Sequence, residues 1–191
     1  MNSGPIDKDH RAARAGTDTL TDMSTPAARP PQVAVMRILA IALCLSPVLL
    51  VVVLALVLPT TWGDEPPVPV VLGLVALVGV GFASAEAIGF ITEPLEPQVS
   101  TSPGDAERIS LGRFQSSMML RFALTEVPVL VGLATSFVLD DGIWPLLVAV
   151  AVGLPVMWFE TWPSQRNARK FAARLESGGV RSGLIEALGA R

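Results

Sequence analysis

Long apolar segments separated by shorter polar ones dominate residues 38–159 of the chain. A helix needs about 20 apolar residues, at a rise of about 1.5 Å each, to cross about 30 Å of hydrocarbon. Four segments approach or exceed that length: 38–58, 69–91, 118–139 and 143–159. The pattern therefore predicts an all-α fold, a four-helix polytopic integral membrane bundle with a cytoplasmic amphipathic C-terminal helix.

The two ends of the chain differ from this apolar part. Residues 1–32 are rich in Pro, Ala, Gly, Ser and Thr and contain no apolar stripe, so we expect a disordered cytoplasmic tail. Residues 33–160 are the predicted transmembrane domain, and residues 161–191 are a predicted basic cytoplasmic tail.

The connections between the predicted spans differ in length. Residues 140–142 leave room only for a tight turn, and the Pro-rich stretch 59–69 is also short, so spans three and four, and spans one and two, are expected to be antiparallel neighbours. Spans two and three are joined by a longer segment, 92–117, which we expect to be a loop.

Basic residues predict the orientation of the bundle. Thirteen of the 14 Lys and Arg side chains lie before span one, between spans two and three, or after span four, and Arg121 lies near the start of span three on the same side. By the positive-inside rule, both termini and the central segment are cytoplasmic. Most of the basic residues are Arg, a bias common in GC-rich bacterial genomes, so we predict a multi-pass protein of the bacterial plasma membrane.

Composition excludes several classes of site. The chain has 51% hydrophobic and 16% charged residues, with one Cys and one His, so it cannot assemble a His/Cys metal site or a disulfide framework alone. A phosphate-binding loop, a Gly-x-Ser-x-Gly elbow and a His-Glu-x-x-His motif are all missing from the sequence. With a net charge of −3 and no basic patch interleaved with aromatics, nucleic acid is not an expected partner. We expect neither catalysis, nor a cofactor, nor a metal.

A basic amphipathic helix is predicted beside the fourth span, between Ser164 as its N-cap and Ser177. Its apolar positions recur at the helical period, and the remaining positions carry four basic side chains: Arg166, Arg169, Lys170 and Arg174. The pattern is typical of a helix that lies on the anionic inner leaflet. A docking surface for an acidic partner is the alternative.

Three ionisable residues fall inside the predicted spans: Glu86, Arg121 and Glu126. Because an ionisable group at membrane depth is costly, it marks either function or a specific structural partner. In the structural interpretation, Arg121 pairs with Glu86 or Glu126. In the functional interpretation, Glu126, assisted by Glu86, binds a proton or a sodium ion beside the Leu124 carbonyl that Pro128 leaves without a donor. Glu160, at the inner interface, is expected to be solvated.

Small residues on the second span form two ridges of the kind that allow helices to approach closely. One ridge consists of Gly79, Ala83 and Ala87, and the other of Gly81, Ala85 and Gly89. Gly132 belongs to a polar and small stripe on the third span that also contains Arg121, Thr125, Pro128 and Ser136. These residues are the predicted helix-packing positions.

The run FALTEVPVLVGLATSFVL (122–139) resembles the carboxylate-bearing outer helix of ATP synthase c subunits. The likeness lies in Glu126 followed six and seven residues later by Gly132 and Leu133, and it implies that Glu126 carries the proton or sodium ion. The order of Arg121, Ala123, Leu124, Glu126, Pro128 and Gly132 is also similar to the third helix of uncharacterised bacterial four-span membrane proteins, a resemblance that implies the architecture alone.

Two functions remain open from the sequence. Helix-packing signals are abundant and chemical ones scarce, which favours a non-enzymatic membrane scaffold or accessory subunit. Its expected partners are membrane lipids with an anionic inner leaflet and, in addition, other membrane subunits or a second copy of the chain. The alternative is a proton- or sodium-binding membrane subunit that uses Glu126 and Glu86.

Overall fold

The computed structural model describes residues 31–57, 67–96, 103–139 and 142–189. The secondary structure of these residues is entirely helical. Its elements are α1 (Pro31–Val57), α2 (Val68–Ile88), α3 (Pro103–Val138), α4 (Trp144–Thr161), α5 (Gln165–Leu175), a 3₁₀ turn (Glu176–Gly178) and α6 (Leu184–Ala187). The predicted tail up to residue 30, most of the first connection and residues 140–141 lie outside the described residues.

Helices α1 to α4 are each long and apolar enough to cross a membrane, which confirms the all-helical prediction with four candidate spans. The largest difference in length concerns α3, which begins at Pro103 and contains 36 residues. Residues 103–117 therefore form helix where a loop was expected. The reason is a buried stripe at the helical period, formed by Ala106, Ser110, Phe114 and Ser117, that continues directly into the third span.

The four long helices do not pack as two sequential pairs. Helix α3 packs against α4 and α2, α2 also packs against α4, and α1 lies mainly on α4 with little contact to α2. The prediction that spans one and two are neighbours is therefore wrong, whereas spans three and four are neighbours as expected. Spans that follow each other in the chain need not touch when the connection between them is long enough to reach another groove of the bundle.

Two glycines allow close contacts between the long helices. A Cβ atom on Gly132 of α3 would lie 2.6 Å from the Ala149 Cβ of α4. A Cβ atom on Gly81 of α2 would lie 2.9 Å from the Leu124 carbonyl oxygen of α3. This is the carbonyl that Pro128 deprives of its helical donor. It faces the Gly81 backbone of the neighbouring helix, so Pro128 lies at a close contact between α2 and α3.

Hydroxyl groups satisfy backbone positions that the helices leave open. The Ser46 hydroxyl donates to the Leu43 carbonyl at 2.9 Å, and this carbonyl is the one that Pro47 cannot reach as a donor. The Leu146 amide, in the first turn of α4, donates to the Ser136 hydroxyl of α3 at 3.2 Å. The Ser136 side chain of a neighbouring helix thus accepts a hydrogen bond from the first turn of α4, where the amides have no partner within the helix.

At one end of the bundle, shorter elements form a hydrophobic core that is separate from the core between the long helices, and we call this region the cap. It consists of the first turns of α1, residues 89–96, the N-terminal part of α3, and α5 with α6. Its buried core contains Phe90, Leu95, Phe114, Phe171 and Leu184, among others. The Phe114 and Phe171 rings meet edge to face with centroids 5.6 Å apart. The Leu95 amide donates to the Leu175 carbonyl at 2.9 Å.

The cap changes the interpretation of the amphipathic helix. Helix α5 begins after Ser164, whose hydroxyl accepts from the Asn167 amide as predicted for its N-cap. Its apolar face, however, is buried within the protein, with Ala168, Phe171, Ala172 and Leu175 each at most 1% exposed. The expectation that this face lies on lipid is therefore wrong, because the N-terminal part of α3 supplies an apolar surface that the sequence analysis treated as a loop.

Candidate functional site

Five charged side chains from four helices meet where the cap joins the bundle, and we call them the charge network. Its members are Glu86 of α2, Arg121 of α3, Glu160 of α4, and Arg166 and Lys170 of α5. Each helix brings its charge to the same level because α2 and α4 end there, α5 begins there, and α3 passes through.

Glu86 is held by two cations. Arg166 Nη2 lies 2.5 Å from Glu86 Oε1, and Lys170 Nζ lies 2.5 Å from Glu86 Oε2. The two basic residues are four positions apart, which places them on the same face of α5. The Glu86 side chain is 25% exposed and the two basic side chains are 39% exposed, so this part of the network borders the surface.

Arg121 and Glu160 form the interior of the network, and neither side chain is exposed. Arg121 Nη1 donates to the Glu160 backbone carbonyl at 2.6 Å and lies 3.9 Å from Glu160 Oε2. The guanidinium also sits 4.3 Å from the centroid of the Phe90 ring. A cation over an aromatic face is stabilised by the ring quadrupole, so Phe90 offsets part of the cost of burying this charge.

Arg166 connects the two carboxylates. Its Nη1 lies 3.5 Å from Glu160 Oε1, while its Nη2 binds Glu86. The carboxylate oxygens of Glu160 have ion-pair contacts but no hydrogen bond, and Arg121 Nη2 is likewise without one. The interior of the network is thus held by charge attraction and by the Glu160 carbonyl more than by side-chain hydrogen bonds.

Asn167 fixes the junction between α4 and α5. Its Nδ2 donates to the carbonyls of Phe159, Glu160 and Trp162 at 3.2, 3.1 and 3.0 Å. These carbonyls belong to the end of α4, where helical donors are missing. Asn167 is completely buried. It was not among the predicted site residues, although a polar residue on the apolar side of an amphipathic helix is a signal that the sequence carries.

Gly89 provides the space that the buried arginine needs. A Cβ atom at this position would overlap the Cγ of Arg121 and the Ala85 carbonyl. The Gly89 carbonyl accepts from the Ser117 hydroxyl at 2.5 Å. Gly81 and Ala85 continue the same ridge and are buried against α3. This ridge therefore packs inside the bundle.

The other predicted ridge lies on the outside. Gly79, Ala83 and Ala87 are exposed, and nothing lies within 4 Å of a Cβ atom built on Gly79. Gly132, together with the polar stripe of α3 to which it belongs, is buried. The structure thus separates the predicted helix-packing positions into an inner set and an outer one.

Glu126 is not part of the charge network. It has no hydrogen bond or ion pair with any described residue, and it lies half-buried beside the exposed Val127 and Leu130. It follows Arg121 by five residues, which is about 7 Å along the helix axis. Glu86 and Glu126, which the sequence analysis assigned to one ion site, therefore have different surroundings.

The predicted partners of the charged residues need two corrections. Arg121 was expected to pair with Glu86 or Glu126, and in the structure its ion-pair partner is Glu160. Glu160 was expected to be solvated, and it is completely buried. Sequence periodicity locates residues on the faces of their own helices, but the contact between α3 and the end of α4 depends on how those helices pack.

The four basic residues assigned to a lipid surface also separate. Arg166 and Lys170 belong to the charge network, whereas Arg169 and Arg174 are exposed and lie outside it. Among the described residues, no group of three or more His, Cys, Asp or Glu side chains is arranged to hold a metal ion.

Comparisons with protein-family models, with curated proteins and with solved structures find no match to this chain. Functional arguments therefore depend on the charge network, on Glu126 and on the exposed helix faces.

Proposed function

We propose that the chain is a non-enzymatic integral membrane protein, a scaffold or accessory subunit that binds another membrane-embedded chain. In this proposal α1 to α4 cross a bacterial plasma membrane, and the cap lies in the cytoplasm with both termini. The four apolar helices support the insertion. The two connections at the other end of the bundle contain no Lys or Arg, which supports the orientation.

The observation that carries the proposal is the carboxyl group of Glu126, which has no partner among the described residues. Three other ionisable residues near the ends of the spans, Glu86, Arg121 and Glu160, are paired within the chain. Glu126 lies farther into α3 among side chains that face outward. An acidic residue at the centre of a membrane helix costs about 2.5–3.5 kcal/mol on insertion scales, so a donor from a neighbouring chain would stabilise it.

The outer ridge of α2 supports the same proposal. Gly79, Ala83 and Ala87 present little side-chain volume on an exposed face of the bundle. In a membrane, small residues allow another helix to approach closely and gain dispersion energy, since lipid chains provide no hydrophobic driving force between helices. Because the inner ridge already packs against α3, the outer ridge is available to a second chain.

Photo-cross-linking in intact membranes tests this proposal. A photoreactive residue replaces Val127, next to Glu126, and in a matched control it replaces Leu56, which is exposed near the end of α1. We expect a discrete protein adduct from position 127 and none from position 56. Glu126→Leu should abolish the adduct, because the hydrogen-bond donor on the partner chain then loses its acceptor. Lipid adducts alone at both positions would contradict the proposal.

Ion binding is the second candidate, and its support now comes from Glu126 alone. Glu86 already has two cations as ligands, which disfavours it as a site for sodium or a proton. The resemblance of residues 122–139 to the c-subunit helix supports Glu126 in this role. A hydrophobic carbodiimide should label a protonated Glu126, and sodium should protect it if sodium is the ligand. If liposomes containing the Glu126→Gln variant lose the cation flux of the wild-type protein, the result would favour ion binding. An unchanged flux would exclude ion binding by Glu126.

A further inference from the structure

A cleft of about 490 Å³ opens on the side of the protein where the cap meets the spans. It lies between α3 and the segment that follows α2, with α5 behind it. The side chains that matter for its chemistry are Ile91, Thr92, Glu93, Arg113, Ser116 and Leu120. Its volume is within the range of about 300–1,000 Å³ that is typical of small-molecule sites.

The cleft changes from polar to apolar along α3. Arg113, Ser116 and Leu120 follow one another at intervals of three and four residues and so share a helix face. Arg113 and Leu120 are about 10 Å apart along the axis. Leu120 is on the side of the spans, and Arg113 is on the side of the cap. The cleft is therefore polar on the side of the cap and apolar on the side of the spans, in the same order as the headgroups and acyl chains of a membrane leaflet.

The apolar end of the cleft is open to the outside. Leu120 is 44% exposed and Ile91 is 63% exposed. Both residues flank Gly89, where α2 has ended, and they lie on the outer surface of the bundle near the predicted edge of the hydrocarbon. An acyl chain beside the bundle would cover both side chains.

The polar end presents a positioned cation and an uncommitted hydroxyl group. Arg113 Nη1 donates to the Glu93 carbonyl at 2.7 Å, which holds the guanidinium at the mouth of the cleft and leaves its other N–H groups for a ligand. Thr92 has no hydrogen bond to a described residue, so its hydroxyl can donate as well. One guanidinium matches the single negative charge of a phosphodiester.

We propose that this cleft binds one glycerophospholipid from the inner leaflet, with its phosphate at Arg113 and Thr92 and an acyl chain over Leu120 and Ile91. The inference rests on the proposed insertion and orientation, because it needs Arg113 at the level of the headgroups. It adds a specific lipid site to the general contact that any membrane protein has with its bilayer.

Native mass spectrometry of the delipidated full-length protein in neutral detergent tests the proposal. Three probes separate the contributions of phosphate and chains: dioleoylphosphatidylglycerol, dioleoylglycerol, which lacks the phosphate, and glycerol 3-phosphate, which lacks the chains. We expect one tightly bound phosphatidylglycerol and at least about tenfold weaker binding of the other two, since each lacks one set of contacts.

Two matched variants assign the site to the cleft. Arg113→Gln should weaken the binding of phosphatidylglycerol about tenfold, since a charge-assisted contact is lost, and Arg113→Lys should restore part of it. Arg108→Gln removes an exposed charge from the same helix outside the cleft and should leave binding unchanged. Equal weakening by the 108 and 113 variants would overturn the proposal in favour of general charge attraction.

The probes yield two further outcomes that would overturn it. Glycerol 3-phosphate bound as tightly as the phospholipid would indicate a site for free phosphate esters, and dioleoylglycerol bound as tightly would indicate an apolar groove without headgroup recognition. Failure of the membrane proposal itself would appear separately, as a protein that remains soluble without detergent.

Discussion

Arg166 Nη2 lies 2.5 Å from Glu86 Oε1, although 80 positions separate the two residues in the chain. Lys170, one turn later on α5, binds the other carboxylate oxygen. The same helix turns its opposite side, with Phe171 and Leu175, into the core of the cap. Two kinds of interaction, ion pairs on α2 and apolar burial against α3, thus hold α5 in one orientation.

Removing the Glu86 charge should loosen α5 without unfolding the bundle. Partly exposed ion pairs contribute about 0.2–1 kcal/mol each, so the loss of two in Glu86→Gln should lower the free energy of unfolding by about 0.4–2 kcal/mol and make α5 more accessible to protease. Arg169→Gln, which changes an exposed charge on the same helix, is the control and should behave as the wild type.

Separating the buried pair should have a larger effect. Arg121→Met removes the buried partner of Glu160 and leaves Arg166 as its remaining ion-pair partner among the described residues, and breaking a buried pair costs about 3–5 kcal/mol. The double variant Arg121→Met with Glu160→Met removes both charges, so it should be more stable than either single variant. Denaturant unfolding in detergent measures this, with Arg108→Met as the control. A double variant that is less stable than both singles would contradict the pairing.

The two ridges of α2 predict opposite results for the same substitution. Gly81→Ala places a Cβ atom 2.9 Å from the Leu124 carbonyl, so we expect a loss of about 1–3 kcal/mol from the strain on the α2–α3 contact. Gly79→Ala meets no neighbour, and it should leave stability unchanged or raise it by up to about 1 kcal/mol through helix propensity. Thermal unfolding in detergent compares them, and equal destabilisation would contradict the assigned faces.

Asn167 should matter more than its position on a polar-looking helix indicates. Asn167→Ala removes the Nδ2 donor from three carbonyls at the end of α4. Those of Glu160 and Trp162 keep a second donor, whereas that of Phe159 loses the one described here, and an unsatisfied buried group costs about 1–3 kcal/mol. We expect a marked fall in thermal stability and release of α5. Gln165→Ala, at an exposed position two residues earlier, is the control. Similar melting temperatures for both variants would count against the junction described above.

Reporter fusions test the proposed orientation. Fusions after Gly63, Gly104 and Arg191 should report outside, inside and inside, because the connections that lack basic residues are translocated. An enzyme active only in the cytoplasm and one active only outside it provide independent readouts. A cytoplasmic signal from the fusion after Gly63 would contradict the four-span topology.

The sequence by itself determined the helical architecture and most of the span boundaries. Apolar runs of sufficient length form helices because unsatisfied backbone groups are too costly in an apolar environment. This effect depends on each segment by itself, so the sequence of the segment is enough to predict it. The N-cap at Ser164 and the faces of Arg121 and Glu126 on α3 followed from the helical period for the same reason. The helix at 103–117 was equally readable from its periodicity, but its moderate polarity made it resemble a loop.

Only the tertiary structure decided which charges meet. Glu160 is buried because α3 carries Arg121 to the end of α4, and Arg166 reaches Glu86 because the cap provides an apolar surface for α5. These contacts join residues 39 and 80 positions apart, so they depend on how the helices pack and not on the faces of any single helix. The periodicity of each helix was visible in the sequence. Which charged residues form ion pairs depends on how α2, α3, α4 and α5 pack together.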